Sequence, residues 1–203
     1  MPEGAENGRP APLVVGLGGT TRENSSTEKL VRLVLQAVDQ LGGRTIQLSG
    51  PELVLPIYAP ENPTRGPSAE RLIAILRSAD AVIIGSPGYH GGISGLVKNA
   101  LDYTEDMSKD ERAYLDGMAV GCIGTGAGWQ GANMTLAAIR SVAHSLRGWP
   151  TPLGIAVNTA EPVFGPDGVC LNEGLAGQAK VMAAQLLGFA RQDPSIFRNR
   201  QTT

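Results

Sequence analysis

The stretch Gly18-Gly19-Thr20-Thr21-Arg22-Glu23-Asn24-Ser25-Ser26-Thr27 gathers hydroxyls, glycines and one arginine just before a helical pattern. A phosphate monoester is held by this kind of set: hydroxyl and backbone N–H donors, one cation, and the unpaired N–H groups of a helix start. Thr20, Arg22, Ser25, Ser26 and Thr27 are the candidate donors. The bland alternative is an ordinary helix cap at Ser25 or Ser26. A Walker loop needs Gly-Lys-Ser/Thr at its end, and the first lysine, Lys29, lies inside the helix. The dinucleotide fingerprint fails at Thr21, and Gln47-Leu48-Ser49 stands where an acidic ribose ligand is expected. The loop therefore points to a bound mononucleotide rather than a bound dinucleotide.

A second stretch, Gly85-Ser86-Pro87-Gly88-Tyr89-His90-Gly91-Gly92, follows the apolar run Ala81–Ile84. Its place after a strand is where open α/β sheets bind ligands, and its glycines let a flat ring approach the backbone. Pro87, Gly88, Tyr89, His90 and Gly91 are read as one side of a ring site suited to a flavin. The loop Gly124–Gly131 supplies the other side through Thr125, Gly126 and Gly128, with Trp129 either a pocket wall or a packing residue. Tyr89 and His90 invite an acid/base reading, but the favoured one has His90 acting by shape and backbone donation, so no catalytic side chain is assigned: hydride transfer between nicotinamide and flavin needs none.

Other chemistries have little support. No nucleophile–base–acid set is present, and two histidines with two isolated cysteines make no metal framework. His144 reads as a structural mid-helix residue and Cys122 as a buried small hydrophobe. A net charge of −2 with no basic tract argues against nucleic acid. No apolar run is long enough to span a membrane, and Met1 to Pro12 lacks a signal-peptide pattern, so a cytoplasmic location is expected.

The elements that must position these loops follow from periodicity. Strands are expected at Leu13–Leu17, Arg44–Leu48, Asp80–Gly85, Gly117–Ile123 and Leu153–Val157. Helices are expected at about Ser26–Leu41, Ser68–Ser78, Ile93–Asp106, Ala132–Arg147 and Asn172–Phe189. Residues 51–67 carry five prolines and read as an irregular connection with Leu53, Leu55 and Ile57 tucked against the body. The charged run Glu105–Arg112 reads as a solvated helix end or loop, and Trp149–Pro152 as the stop of the fourth helix. Residues 1–11 and 191–203 are expected tails around a single domain, 12–190. The alternation predicts a doubly wound α/β fold: a three-layer sandwich around a five-stranded parallel sheet in the order 2-1-3-4-5.

The motifs resemble those of the NADPH-dependent FMN reductase family of flavodoxin-like flavoproteins. Gly19-Thr20-Thr21-Arg22 with Ser25-Ser26-Thr27 is similar to the family's phosphate loop, with Thr20 in place of serine. Ser86-Pro87-Gly88-Tyr89-His90-Gly91 and the following Leu96-Val97-Lys98-Asn99-Ala100-Leu101-Asp102 resemble its ring loop and the helix behind it. The resemblance implies FMN and NADPH (or NADH) as cofactors, and hydride transfer from the nicotinamide to N5 of FMN. It implies a homodimer or homotetramer, with helix three at the contact, and release of reduced FMN to a flavin-dependent monooxygenase partner. The alternative within the family is reduction of quinones, azo compounds or metal complexes through tightly held FMN. The alternative outside it is a flavodoxin-like electron carrier. Gly88 departs from the larger, often acidic residue of many members, and its missing side chain is expected to open the entrance for a second substrate.

Overall fold

The computed structural model describes residues 10–192. Residues 1–9 and 193–203, which hold most of both expected tails, lie outside the described residues. A parallel sheet forms the middle layer. Its strands are β1 (Leu13–Gly18), β2 (Arg44–Leu48), β3 (Ala81–Tyr89) and β5 (Ala119–Gly126), in the order β2-β1-β3-β5. At the far edge, β6 (Trp149–Pro150) and β7 (Ile155–Asn158) both pair with β5 and share the fifth position. The parallel order is thus the flavodoxin-like 2-1-3-4-5. A short antiparallel strand, β4 (Gly92–Ile93), folds back on the end of β3.

The helices α1 (Ser26–Gln40) and α5 (Glu173–Ala190) cover one face. The other carries α2 (Pro67–Ser78), α3 (Gly95–Asp102) and α4 (Trp129–Ser145). Central strands covered on both faces read as continuous apolar runs, as in Ala81–Ile84, all fully buried. Successive residues feed opposite cores: Val82 and Ile84 join the α2–α3–α4 side, Ala81 and Ile83 the α1–α5 side. Each large aliphatic so buried stabilises the fold by about 1.5–3 kcal/mol. Glycines inside the strands set how closely the helices sit. A Cβ on Gly16 would lie 2.5 Å from Val31 Cγ1, and one on Gly85 2.5 Å from Val31 Cγ2. Val31 of α1 thus nests on two strands at once, which fixes the start of α1 over the sheet.

Several local expectations are corrected. Trp149–Pro150 does not cap the fourth helix but pairs with Ala119–Val120; the helix has already ended at Ser145, followed by Arg147 at φ 64°. Helix three is shorter than its pattern, because Ile93 belongs to β4 and Tyr103–Met107 tighten into a 3-10 turn. Its apolar residues Val97, Ala100 and Leu101 are buried within the chain, and Leu96 is half-buried. Leu53 and Leu55 are buried, but Ile57 is 82% exposed. His144 is exposed in the last turn of α4 rather than packed.

The charged run after α3 is also more than a solvated end. Asp106 accepts a two-pronged interaction from Arg65, at 2.6 and 2.8 Å, and the Arg65 guanidinium lies over Tyr58 and Tyr103 at 4.8 and 5.5 Å. Arg112 donates to the carbonyls of Leu76, Arg77 and Ala79 at the end of α2. These contacts, with Asn99 donating to the carbonyls of Leu55 and Pro56 and accepting from Tyr58 N, hold the irregular connection in place.

Candidate active site

The parallel register brings the ends of β1, β3 and β5 side by side, Gly18 beside Gly85 and Pro87 beside Thr125. The three stretches singled out above therefore emerge together at one edge of the sheet. Gly19 N donates to Gly85 O at 3.3 Å, and a Cβ on Gly18 would overlap that same carbonyl. The first two loops can meet only because position 18 is glycine.

Within the first loop, Thr20 Oγ1 accepts from Arg22 N and donates to Arg22 O, both at 3.1 Å, making a tight turn. Arg22 is exposed, and its guanidinium pairs with no described residue. Ser25, not Ser26, caps α1: its Oγ accepts from Glu28 N at 3.2 Å. The Glu28 carboxylate takes Asn24 N at 2.9 Å and pairs with Arg32. That arrangement occupies the nearest buried negative charge and holds Asn24 at φ 56°. The Ser-x-x-Glu spacing of Ser25 and Glu28 is a readable capping signal that the loop's phosphate-like composition overshadowed. Ser26 is the first helical residue and is half-buried. Thr27 turns inward, where its hydroxyl meets that of Thr125 at 2.7 Å.

The second stretch is not the loop its composition suggests. β3 continues through Ser86, Pro87 and Gly88 to Tyr89, and only His90-Gly91 makes the turn, at φ 50° and 86°. Two residues with positive φ between paired strands is the favoured hairpin geometry, and histidine, like asparagine, tolerates it better than most side chains. His90 is thus placed by its backbone. Tyr89 and His90 are exposed, Tyr89 by 54%. Ser86, fully buried, donates to Pro87 O and accepts Ser94 N, both at 2.9 Å, locking the hairpin to the cap of α3.

Gly88 does not open an entrance. A Cβ there would drive into Thr135 Oγ1 of α4 and lie 3.1 Å from Gly131 O. The residue is glycine because α4 packs against the strand at that point. In the third stretch, Thr125 and Gly126 are buried, and a Cβ on Gly126 would lie 2.8 Å from Ala132 N. Gly126 O also accepts from Thr159 N at 2.8 Å. Exposed Ala127, half-buried Gly128 and exposed Trp129 form the lip, with Gly128 at φ 148° and Trp129 61% exposed as the first residue of α4. Trp129 is therefore not a packing residue within this chain.

The surface-facing groups are thus the exposed Arg22, Thr20, the N-terminus of α1 with Ser26, the hairpin Tyr89–Gly91, and the lip 127–129. Thr27, Thr125, Gly88 and Gly126 lie beneath and hold these parts together. The donor set suits a phosphate monoester: hydroxyls, a helix start and a cation, with Glu28 already paired. Among the described residues no group of three His, Cys, Asp or Glu side chains could hold a metal, and no helix is long and apolar enough to cross a membrane.

Fold and strand order are flavodoxin-like, and comparison with known proteins agrees with that fold. The sequence model of the NADPH-dependent FMN reductase family matches residues 12–161, and the chain belongs to that family. It is 33% identical over 121 residues to an FMN-dependent NADPH-azoreductase of Staphylococcus saprophyticus, a match covering 58% of this chain and 60% of the relative. A Staphylococcus aureus protein of the same description is 32% identical over 119 residues, again covering 58% and 60%. The match thus spans less than two thirds of these relatives' own length. Among solved structures, an NADH:FMN oxidoreductase in its apo form superposes with a TM-score of 0.70 at 19% identity, covering 95% of this chain and 97% of the other. The flavoenzyme NAD(P)H:(acceptor) oxidoreductase of Paracoccus denitrificans gives 0.69 at 19% identity, covering 88% and 99%. At such identities these two likenesses establish the fold.

Proposed function

We propose that this chain is an NAD(P)H-dependent oxidoreductase that holds FMN across the three loops and reduces a small acceptor of the azo or quinone type. The observation that carries the reading is the convergence, at one sheet edge, of a phosphate-suited loop and two ring-suited segments. The staphylococcal relatives are described as FMN-dependent, which favours FMN as a held group over FMN as a released product. Bound FMN would supply the redox chemistry between the nicotinamide donor and the acceptor. Arg22, Thr20, Ser26 and the start of α1 would hold its phosphate. The His90-Gly91 turn and the lip at Ala127–Gly128 present backbone groups to the ring edge, where N–H donors favour negative charge. Tyr89 and Trp129 offer aromatic faces beside it, and no side chain is assigned a proton transfer.

Purification followed by flavin analysis, then steady-state oxidation of NADPH and NADH with an azo dye, a quinone or free FMN, tests the reading. Retained flavin and ping-pong kinetics with the dye or quinone are expected. Turnover only with added FMN, and proportional to it, would instead return the function to FMN reduction for a monooxygenase partner. No flavin-dependent oxidation with either donor would overturn both.

A further inference from the structure

On the outer side of α1 lies a cavity of about 390 Å3, separate from the ring segments but sharing Asn24 with the first loop. One wall is a single helical stripe, Lys29, Arg32, Leu33 and Gln36. The other is a small hairpin: Phe164 bridges Cys170, Gly165 N donates to Val169 O, and Gly168 N to Gly165 O, both at 2.9 Å. The Pro166-Asp167-Gly168 turn, with Gly168 at φ 80°, closes it. The hairpin holds the Phe164 ring against α1, with Lys29 Nζ 5.7 Å from its centroid. Arg32 is fixed by Glu28 and by the side-chain oxygens of Asn24 and Gln47, each at 3.4 Å. Lys29 has no carboxylate partner among the described residues. Asp167, at the rim, is the cavity's own acid and accepts Val169 N at 3.0 Å.

An aromatic face, an ammonium without a carboxylate partner among the described residues and a guanidinium held by Glu28 together suit a nucleotide whose phosphate is a terminal monoester. We propose that this cavity takes the adenosine 2′-phosphate end of the nicotinamide donor, making Lys29 and Arg32 the residues that favour NADPH over NADH. The proposal rests on the NAD(P)H reading above. The purine stacks on Phe164, and Lys29 moves from the ring to the phosphate, adding a point charge to Arg32's planar fork. Asp167 opposes an added phosphate, so the preference depends on Lys29 outweighing it. Asn24 both belongs to the first loop and lines the cavity, so the two adjoin.

The test is titration of the purified protein with 2′-AMP, with and without saturating FMN so that the first loop's own phosphate site is blocked in one arm. Adenosine, 5′-AMP and inorganic phosphate are the controls. 2′-AMP is expected to bind more tightly than each control in the presence of FMN. Lys29→Gln should weaken it about tenfold, the size of one charge-assisted contact, and Lys29→Arg should largely retain it. Phe164→Leu should weaken 2′-AMP and adenosine alike. The ratio of kcat/KM for NADPH to that for NADH should fall about tenfold in Lys29→Gln. Unaltered 2′-AMP affinity in Lys29→Gln, or an unmoved ratio, overturns the proposal. The titration needs no turnover, so failure of the cavity is read separately from failure of the oxidoreductase reading.

Discussion

Thr27 Oγ1 and Thr125 Oγ1 lie 2.7 Å apart in the interior, joining the first turn of α1 to the end of β5 across 98 residues of sequence. Both side chains are almost fully buried, at 3% and 2% exposure. The bond spans the sheet edge on which the phosphate-suited loop and the lip stand, so it fixes their spacing. Thr27→Val keeps the shape but strands the Thr125 hydroxyl without a partner. It should cost about 1–3 kcal/mol in denaturant unfolding of the apo protein. Thr27→Val with Thr125→Val replaces both hydroxyls and should cost less than the sum of the single changes. Equal additivity would show that the two hydroxyls are not coupled.

Gly88 and Thr135 form a second dependent pair. Thr135 Oγ1 is fully buried, has no hydrogen-bond partner among the described residues, and occupies the space a Cβ on Gly88 would need. Gly88→Ala should destabilise by about 1–3 kcal/mol through overpacking. Thr135→Ala in the same chain should recover part of that loss, the rest staying with the close Gly131 carbonyl. Thr135→Val alone should be neutral or stabilising, because it removes an unsatisfied hydroxyl at constant shape. Thermal unfolding of the four proteins decides this. A substitution at Gly88 that left stability untouched would return the position to the substrate entrance.

Arg22 is expected to act on the phosphate and nothing else, since its guanidinium is exposed and takes no part in holding the fold. Arg22→Ala should weaken FMN about ten- to a hundredfold, the range for a hydrogen bond to a charged group. Riboflavin, which lacks the phosphate, should change far less. Flavin fluorescence titration reads both, and equal losses would remove the phosphate from the first loop.

The sheet was legible because its central strands are buried on both faces and so appear as short, unbroken apolar runs such as Ala81–Ile84, spaced by helical patterns. The places of the three site stretches followed from that, since loops after adjacent strands must converge. The division of labour inside them did not. A threonine in a polar loop has the same local signature whether it faces a ligand or, like Thr27, a partner 98 residues away. Glycine was equally ambiguous: Gly16, Gly85 and Gly126 make room for α1 and α4 rather than for a turn or a ligand. The hairpin at His90-Gly91 was hidden because Pro87 and Gly88 look like strand breakers, although Pro87 pairs in parallel with Thr125 of β5 and Gly88 antiparallel with Ile93 of β4, which keeps both extended. The Arg65–Asp106 clamp joins an irregular connection to a 3-10 turn, two segments without periodicity to mark them.

That clamp sets an acid limit. The hydrogen bonds from Arg65 hold the Asp106 carboxyl below the usual carboxylate range, against an opposing effect of burial. Tyr58 is pushed up, first by its own burial and then by the Asp106 charge. A carboxyl with a depressed folded value contributes stability that is complete above its unfolded value, about 3.9. The contribution is lost as pH falls from there through the folded value. Wild-type stability should therefore drop below about pH 4. In Asp106→Asn this part of the acid limb should flatten, with a lower melting temperature at neutral pH. An identical acid limb in the variant would place the acid sensitivity elsewhere.

The two cysteines should separate cleanly by reactivity. Cys122 is fully buried in β5, and burial pushes its thiol up to about 12, with Arg140 only partly offsetting it. Cys170 is half-buried in the Phe164 hairpin, where its Sγ lies 3.4 Å from Asn172 O. Only the thiolate attacks a disulfide reagent, and it must also be reachable. At pH 8 the native protein should therefore label at Cys170 alone, and both should label in denaturant; Cys170→Ser should abolish the native signal. The raised value of Cys122 also has a sign. Its proton is held more tightly when folded, so its contribution to stability is complete below the unfolded value of about 8.5. It declines as pH rises from there toward about 12. Alkaline unfolding should accordingly be accompanied by exposure of the second thiol. Labelling of Cys122 in the native state at pH 8, at a rate like that of Cys170, would mean that β5 opens locally and that the Thr27–Thr125 bond at its end does not hold it shut.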